Sequence, residues 1–140
     1  MRKCYLTVYG QKPPPEDYPT VLNTIGDHLR KVRMDRGLLQ KVAAKQIGIT
    51  ASCLVNWELN HNQPHIQHWP DILKFLGYYP EEDDGSLGYM IRKYRRYEGV
   101  AQKVVANRIG VDEYTLWRIE RKSGKQPSIQ RIIKRIENFS

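Results

Sequence analysis

The chain repeats itself, and the repeat limits its folds more than any other feature. Laying Ile25–Glu58 over Leu87–Glu120, an offset of 62 without gaps, gives 13 identities in 34 positions. In the first copy the identical residues are Gly26, Arg30, Lys31, Arg33, Gly37, Gln40, Lys41, Val42, Ala44, Ile47, Gly48, Leu54 and Glu58. Among the mismatches, Leu29 faces Ile91, Ile49 faces Val111 and Trp57 faces Ile119. A one-residue insertion then brings Pro64-x-Ile66-Gln67 over Pro127-x-Ile129-Gln130. Self-similarity of this kind means one module used twice. Each copy holds roughly 50–55 residues, close to the lower limit at which a single core supports itself.

Apolar positions within each copy recur at helical spacing. Ile25, Leu29 and Val32 line a first helix, which Gly37 ends; Val42, Ala44 and Ile47 line a second, ended by Gly48. Leu54 and Trp57 anchor a third, and Ile66, Leu73 and Leu76 a fourth, ended by Gly77. Copy two repeats this with Leu87 and Ile91; Val104, Ala106 and Ile109; Leu116 and Ile119; and Ile129, Ile132, Ile133 and Ile136. No strand pair is visible. The expected fold is all-α: two tandem four- to five-helix bundles, at residues 24–77 and 86–140. Before them, residues 1–23 form an arm whose Pro13-Pro14-Pro15 should be extended. Between them, residues 78–85 carry Glu81-Glu82-Asp83-Asp84, read as a solvated acidic linker or as a mask that competes for a basic face.

Composition excludes several functions. Lys and Arg total 23 against 15 Asp and Glu, a net charge of +8, which favours an anionic partner without naming it. No apolar run approaches the roughly 18–20 residues that span a bilayer. Met1-Arg2-Lys3 is followed by the short, semi-polar Cys4–Tyr9, a poor signal peptide. Cys4 and Cys53 lack C-x-x-C partners, so neither a disulfide scaffold nor a cysteine zinc site is expected. The reading is a cytoplasmic, reduced protein, nucleoid-associated if bacterial. No nucleophile triad, phosphate-cradling glycine loop or H-E-x-x-H pattern occurs, so neither an enzyme nor a cofactor is expected.

The spacing between the second and third helices carries the function. It runs Gln40-x3-Ala44-x3-Gly48-Ile49-Thr50-x3-Leu54-x2-Trp57-Glu58, then Gln102-x3-Ala106-x3-Gly110-Val111-Asp112-x3-Leu116-x2-Ile119-Glu120. Helices crossing tightly need a small residue at the contact, hence Ala44 and Ala106. A short turn needs a residue tolerant of positive φ, hence Gly48 and Gly110. Thr50 and Asp112 suit the N-cap of the third helix. This is the pattern of a helix-turn-helix. Both copies resemble the phage repressor and Cro (Xre-type) helix-turn-helix family, over about residues 24–77 and 86–138.

That resemblance implies sequence-specific binding of double-stranded DNA, usually by a transcriptional regulator, with the third helix in the major groove. Its base-reading positions fall on Ala51, Ser52 and Asn56 in copy one and on Glu113, Tyr114 and Arg118 in copy two. Asn56 suits adenine and Arg118 guanine. Phosphate positions fall on Gln40 and Gln102, followed by Lys41 and Lys103; Arg121 and Lys122, with Lys125 and Asn60-His61-Asn62, follow the third helices. The family's structural ion pair falls on Arg33 with Glu58 and on Arg95 with Glu120.

The copies differ. Residues 24–79 carry net +3 and residues 86–140 net +8. The third helix of copy one is small and nearly uncharged, so copy two is expected to bind DNA more strongly. Copy one either binds DNA weakly or pairs with a protein, as in an antitoxin-like adaptor, and the chain has the option of a homodimer. Val55 and Trp117 either meet DNA or pack on the neighbouring copy. His61, His65 and His68 read as surface or phosphate-facing residues rather than metal ligands. Cys53 reads as a small hydrophobe. Tyr94, Tyr97, Trp69 and Phe75 read as packing, and Arg92-Lys93 with Arg95-Arg96 as a mostly solvated basic face.

Overall fold

A computed structural model describes residues 15–121. The start of the proline arm, Lys122, Lys125 and the helix expected around Ile129–Ile136 lie outside the described residues. Within them the chain is all-helical. The elements are α1 (Ile25–Asp35), α2 (Gln40–Ile47), α3 (Ala51–Glu58), one 3₁₀ turn (Ile66–His68), α4 (Trp69–Leu76), α5 (Leu87–Glu98), α6 (Gln102–Ile109) and α7 (Glu113–Arg121).

Local chemistry sets the boundaries. Thr24 opens α1 with a capping box: its hydroxyl accepts from Asp27 N while Asp27 accepts from the Thr24 N–H. Thr50, Ser86 and Asp112 accept from Cys53 N, Tyr89 N and Thr115 N at the starts of α3, α5 and α7. At the ends of α2 and α6, Gly48 and Gly110 adopt φ of 90° and 76°. There Ile49 N and Val111 N bond back to the carbonyls of Ala44 and Ala106, which turns the chain sharply into the next helix.

Two apolar clusters follow. The first joins Leu29, Ala44, Ile47, Leu54 and Trp57 to Ile72, Leu73, Phe75 and Leu76 of α4. The second joins Leu87 and Ile91 to Val105, Ala106, Ile109, Leu116 and Ile119. One expectation needs correction. Val42 and Val104 are each 38% exposed, and Ala43 and Val105 are sealed in the core instead. Both phases obey helical spacing, and the small Ala43 gave no reason to prefer it. The core stripe is 43, 44, 47, which leaves Val42 and Val104 on the outer surface.

Helix α4 also packs on α5. Gly99, at φ +70°, brings the end of α5 so close that a Cβ there would lie 2.9 Å from Pro70 Cγ. The Arg96 guanidinium sits 4.3 Å from the Trp69 ring centre. Glu81 bridges to Arg96 (Nη1–Oε2 2.8 Å) and Arg92 (Nε–Oε1 3.1 Å), and Arg96 also donates to the Tyr79 hydroxyl. Glu81 is therefore no solvated linker residue, and Arg92 and Arg96 are not a free basic face. Each had a partner that lies too far along the chain for spacing to reveal. Asp83 and Asp84 stay exposed and accept from Gly85 N and Ser86 N, shaping the entry to α5.

Burial pushes the Tyr79 hydroxyl up to about 12, with Arg96 opposing and Glu81 reinforcing. Burial also opposes ionisation of Glu81, but hydrogen bonding to Arg92 and the charges of Arg92 and Arg96 hold its carboxyl below the ordinary value. A depressed carboxylate stabilises the fold above its unfolded pKa, and that contribution fades as pH falls through the folded value. Glu81→Gln should therefore melt lower than the parent at neutral pH, with the gap narrowing towards about pH 3, below the ordinary carboxylate range. Thermal melts across pH measure this, and a gap independent of pH contradicts it.

Gly26 faces the end of α3, where an added Cβ would lie 1.9 Å from the Trp57 carbonyl oxygen. Glycine to alanine in a helix normally stabilises. Gly26→Ala should instead lose about 1–3 kcal/mol by overpacking, measured by urea unfolding; an unchanged or raised stability contradicts the close approach.

Candidate nucleic-acid interface

Each α2–α3 and α6–α7 corner is anchored by one buried carboxylate. Glu58 and Glu120 are each 4% exposed. Arg33 reaches Glu58 with both Nε (2.7 Å to Oε2) and Nη2 (2.9 Å to Oε1), while its Nη1 donates to the Leu38 carbonyl at 2.9 Å. Gln40 Nε2 donates to Glu58 Oε1 at 3.1 Å. The second corner matches it. Arg95 Nε lies 2.9 Å from Glu120 Oε1 and its Nη1 donates to the Val100 carbonyl, while Gln102 Nε2 donates to Glu120 Oε2. Arg92 adds a bond to the Glu120 backbone carbonyl. One carboxylate thus ties the end of the third helix to the first helix and to the start of the second.

This places the residues that the resemblance assigned to phosphate. The amide nitrogens of Gln40 and Gln102 point inward, to the carboxylates. Lys41 and Lys103 are exposed beside them. The N-cap residues of α2 and α6, Leu39 and Ala101, are exposed and make no side-chain cap bond, unlike those of α1, α3, α5 and α7, so among the described residues the positive ends of these two helices carry no N-cap side chain.

The next helix presents its outer face at the same corner. In α3, Ala51 and Ser52 are exposed and Asn56 is half-buried, with Leu54 and Trp57 turned into the core. Asn56 Oδ1 lies 3.4 Å from His61 Nδ1. In α7, Glu113, Tyr114, Trp117, Arg118 and Arg121 are all exposed. Trp117 is in contact with two side chains of its own helix. Its ring stacks on Tyr114 at 5.8 Å and 17°, with the Arg121 guanidinium 4.7 Å from its centre. The Arg118 guanidinium lies 5.8 Å from the Tyr114 ring centre. Neither Arg118 nor Arg121 has a carboxylate partner among the described residues.

Residues other than the assigned base and phosphate positions also line the first corner. Asp17, Arg30, Leu39, Val55 and Leu59 surround a cleft of about 270 Å³ above the Arg33–Glu58 pair, and Asp17 is ion-paired to Arg30 at 2.8 Å. Leu39 and Leu59 are 62% and 52% exposed. The signal was in the alignment: they stand where copy two has Ala101 and Arg121. Asn60 is used at home, accepting from the Thr24 hydroxyl and donating to Asp27. Burial raises the Cys53 thiol pKa, which disfavours the thiolate. Among the described residues no His, Cys, Asp and Glu group could hold a metal ion.

Residues 29–82 match the helix-turn-helix family model, which supports a DNA-binding regulator in general. No curated protein and no solved structure matches the chain. Among the described residues no helix is long and apolar enough to cross a membrane.

Removing one member of a buried ion pair strands the other, at about 3–5 kcal/mol. Glu58→Ala should destabilise by about that much in urea unfolding, and Arg33→Met added to it should recover part of the loss, because no unpaired charge then remains. Equal stability of Glu58→Ala and the parent contradicts the anchoring role.

Proposed function

We propose that the chain is a non-enzymatic, sequence-specific double-stranded DNA-binding regulator of transcription, working in the cytoplasm without a cofactor. Its two tandem helix-turn-helix modules, joined by the acidic segment at 78–85, lay α3 and α7 in the major groove. The observation that carries this reading is the outer face of α7: Arg118 and Arg121 stand exposed and have no carboxylate partner among the described residues, on a helix braced from behind by buried Glu120. Exposed guanidinium groups on a rigid helix suit base edges and phosphates.

The roles then divide. Ala51, Ser52, Asn56, Glu113, Tyr114 and Arg118 face the bases. Lys41, Lys103, Arg121 and Lys122 face phosphates, as do the uncapped starts of α2 and α6 at Gln40 and Gln102. The inward amides of these glutamines leave the backbone N–H groups and the neighbouring lysines to meet the phosphate.

A second reading rests on Leu39 and Leu59, which are exposed at the cleft beside α3. It holds that copy one grips a protein, either a partner or a second copy of the chain, while copy two alone reads DNA.

Selection from random duplexes at two salt concentrations tests the proposal. It predicts one enriched motif and an affinity that falls steeply with salt. Lys103→Ala should lower the salt slope by about 1, evenly across sequences. Arg118→Ala should cost about 1–3 kcal/mol and relax preference at one base position. Affinity without a motif would mean nonspecific binding, and no affinity at physiological salt would leave the protein-binding reading.

A further inference from the structure

The outer face of α7 is more specific than a basic patch. Tyr114, Trp117, Arg118 and Arg121 form two ring–guanidinium pairs one helical turn apart, Tyr114 with Arg118 and Trp117 with Arg121. The two rings are themselves stacked at 17°, so the four side chains brace one another although all are exposed. A guanidinium held beside a ring keeps its N–H edge free and loses less freedom when it forks onto two acceptors.

What such a face fits follows from the groove. An apolar ring next to a fork of donors requires an apolar group next to a pair of acceptors. In the major groove the apolar group of the four bases is the thymine C5-methyl, and the base with two neighbouring acceptors is guanine, through N7 and O6. Resting on the DNA-binding function proposed above, we infer that α7 reads a thymine in the base pair next to a guanine. Tyr114 covers the thymine methyl, Arg118 forks onto the guanine, and the Trp117–Arg121 pair supports them from the side nearer the backbone. In copy one the equivalent positions are Ser52, Val55, Asn56 and Leu59, with neither ring nor guanidinium. The thymine–guanine step therefore belongs to one end of the site only.

The full-length chain should select an asymmetric motif with this step at one end. Replacing its thymine by deoxyuridine removes only the methyl and should weaken binding about fourfold, the worth of one buried methyl. Tyr114→Ala should bind the thymine and deoxyuridine duplexes equally and keep its guanine preference, whereas Tyr114→Phe should restore discrimination. Tyr114 is 65% exposed, so the alanine variant should melt with the parent and report on recognition rather than folding. A duplex with 5-methylcytosine in place of the thymine separates the two carriers of that methyl. Binding as tight as thymine's supports reading of the methyl alone, and a fall to the deoxyuridine level supports reading of the thymine pair as well.

The inference is overturned if deoxyuridine binds as tightly as thymine, if Tyr114→Ala still discriminates, or if the motif lacks the step. A selection that returns no motif overturns the DNA-reading function itself, which is a distinguishable result.

Discussion

A carboxylate taken out of water must be held by donors on every side, and that requirement organises this protein twice. Glu58 and Glu120 sit at the ends of α3 and α7, and each is held by an arginine from the first helix and a glutamine from the start of the second. The donors come from two helices and the carboxylate from a third, so the carboxylate sets how those three helices meet. It works from behind the outer face, and that face is left free to vary. Buried pairs of this kind contribute geometry more surely than net stability.

The freedom has been used differently in the two copies. Around α3 the outer side chains are small, with exposed Leu39 and Leu59 beside the Asp17–Arg30 pair. Around α7 they are aromatic and cationic. The same scaffold thus offers two outer faces of different chemistry. Between them, Glu81 gathers Arg92 and Arg96 while Arg96 lies on Trp69, so two cations of α5 contribute to the packing of α5 against α4 and the segment that joins them.

Much of this was legible in the sequence, because it depends on local chemistry. The turns at Gly48 and Gly110 and the caps at Thr50 and Asp112 follow from residues within a few positions of one another. The core phase of α2 and α6 was not legible, since Val42 and Ala43 both satisfy a helical period and only packing against α3 and α4 chooses between them. The inward turn of the Gln40 and Gln102 amides depends on carboxylates 18 residues away. The partners of Glu81 lie 11 and 15 residues away on α5. The stacking of Tyr114 on Trp117 was hidden for a different reason: helical spacing places them near each other, but spacing alone does not say whether such rings face the core or the solvent.

The central claim is that the outer faces of α3 and α7, with the starts of α2 and α6, lie against a duplex. Backbone amide shifts of the isotopically labelled full-length chain, followed while a duplex carrying the selected motif is added, test it most directly. The account predicts the largest shifts at Gln40 and Lys41, Ala51–Asn56, Gln102 and Lys103, and Glu113–Arg118, with α4 little changed. Shifts centred on α4 and α5, with Glu113–Arg118 unmoved, would contradict it.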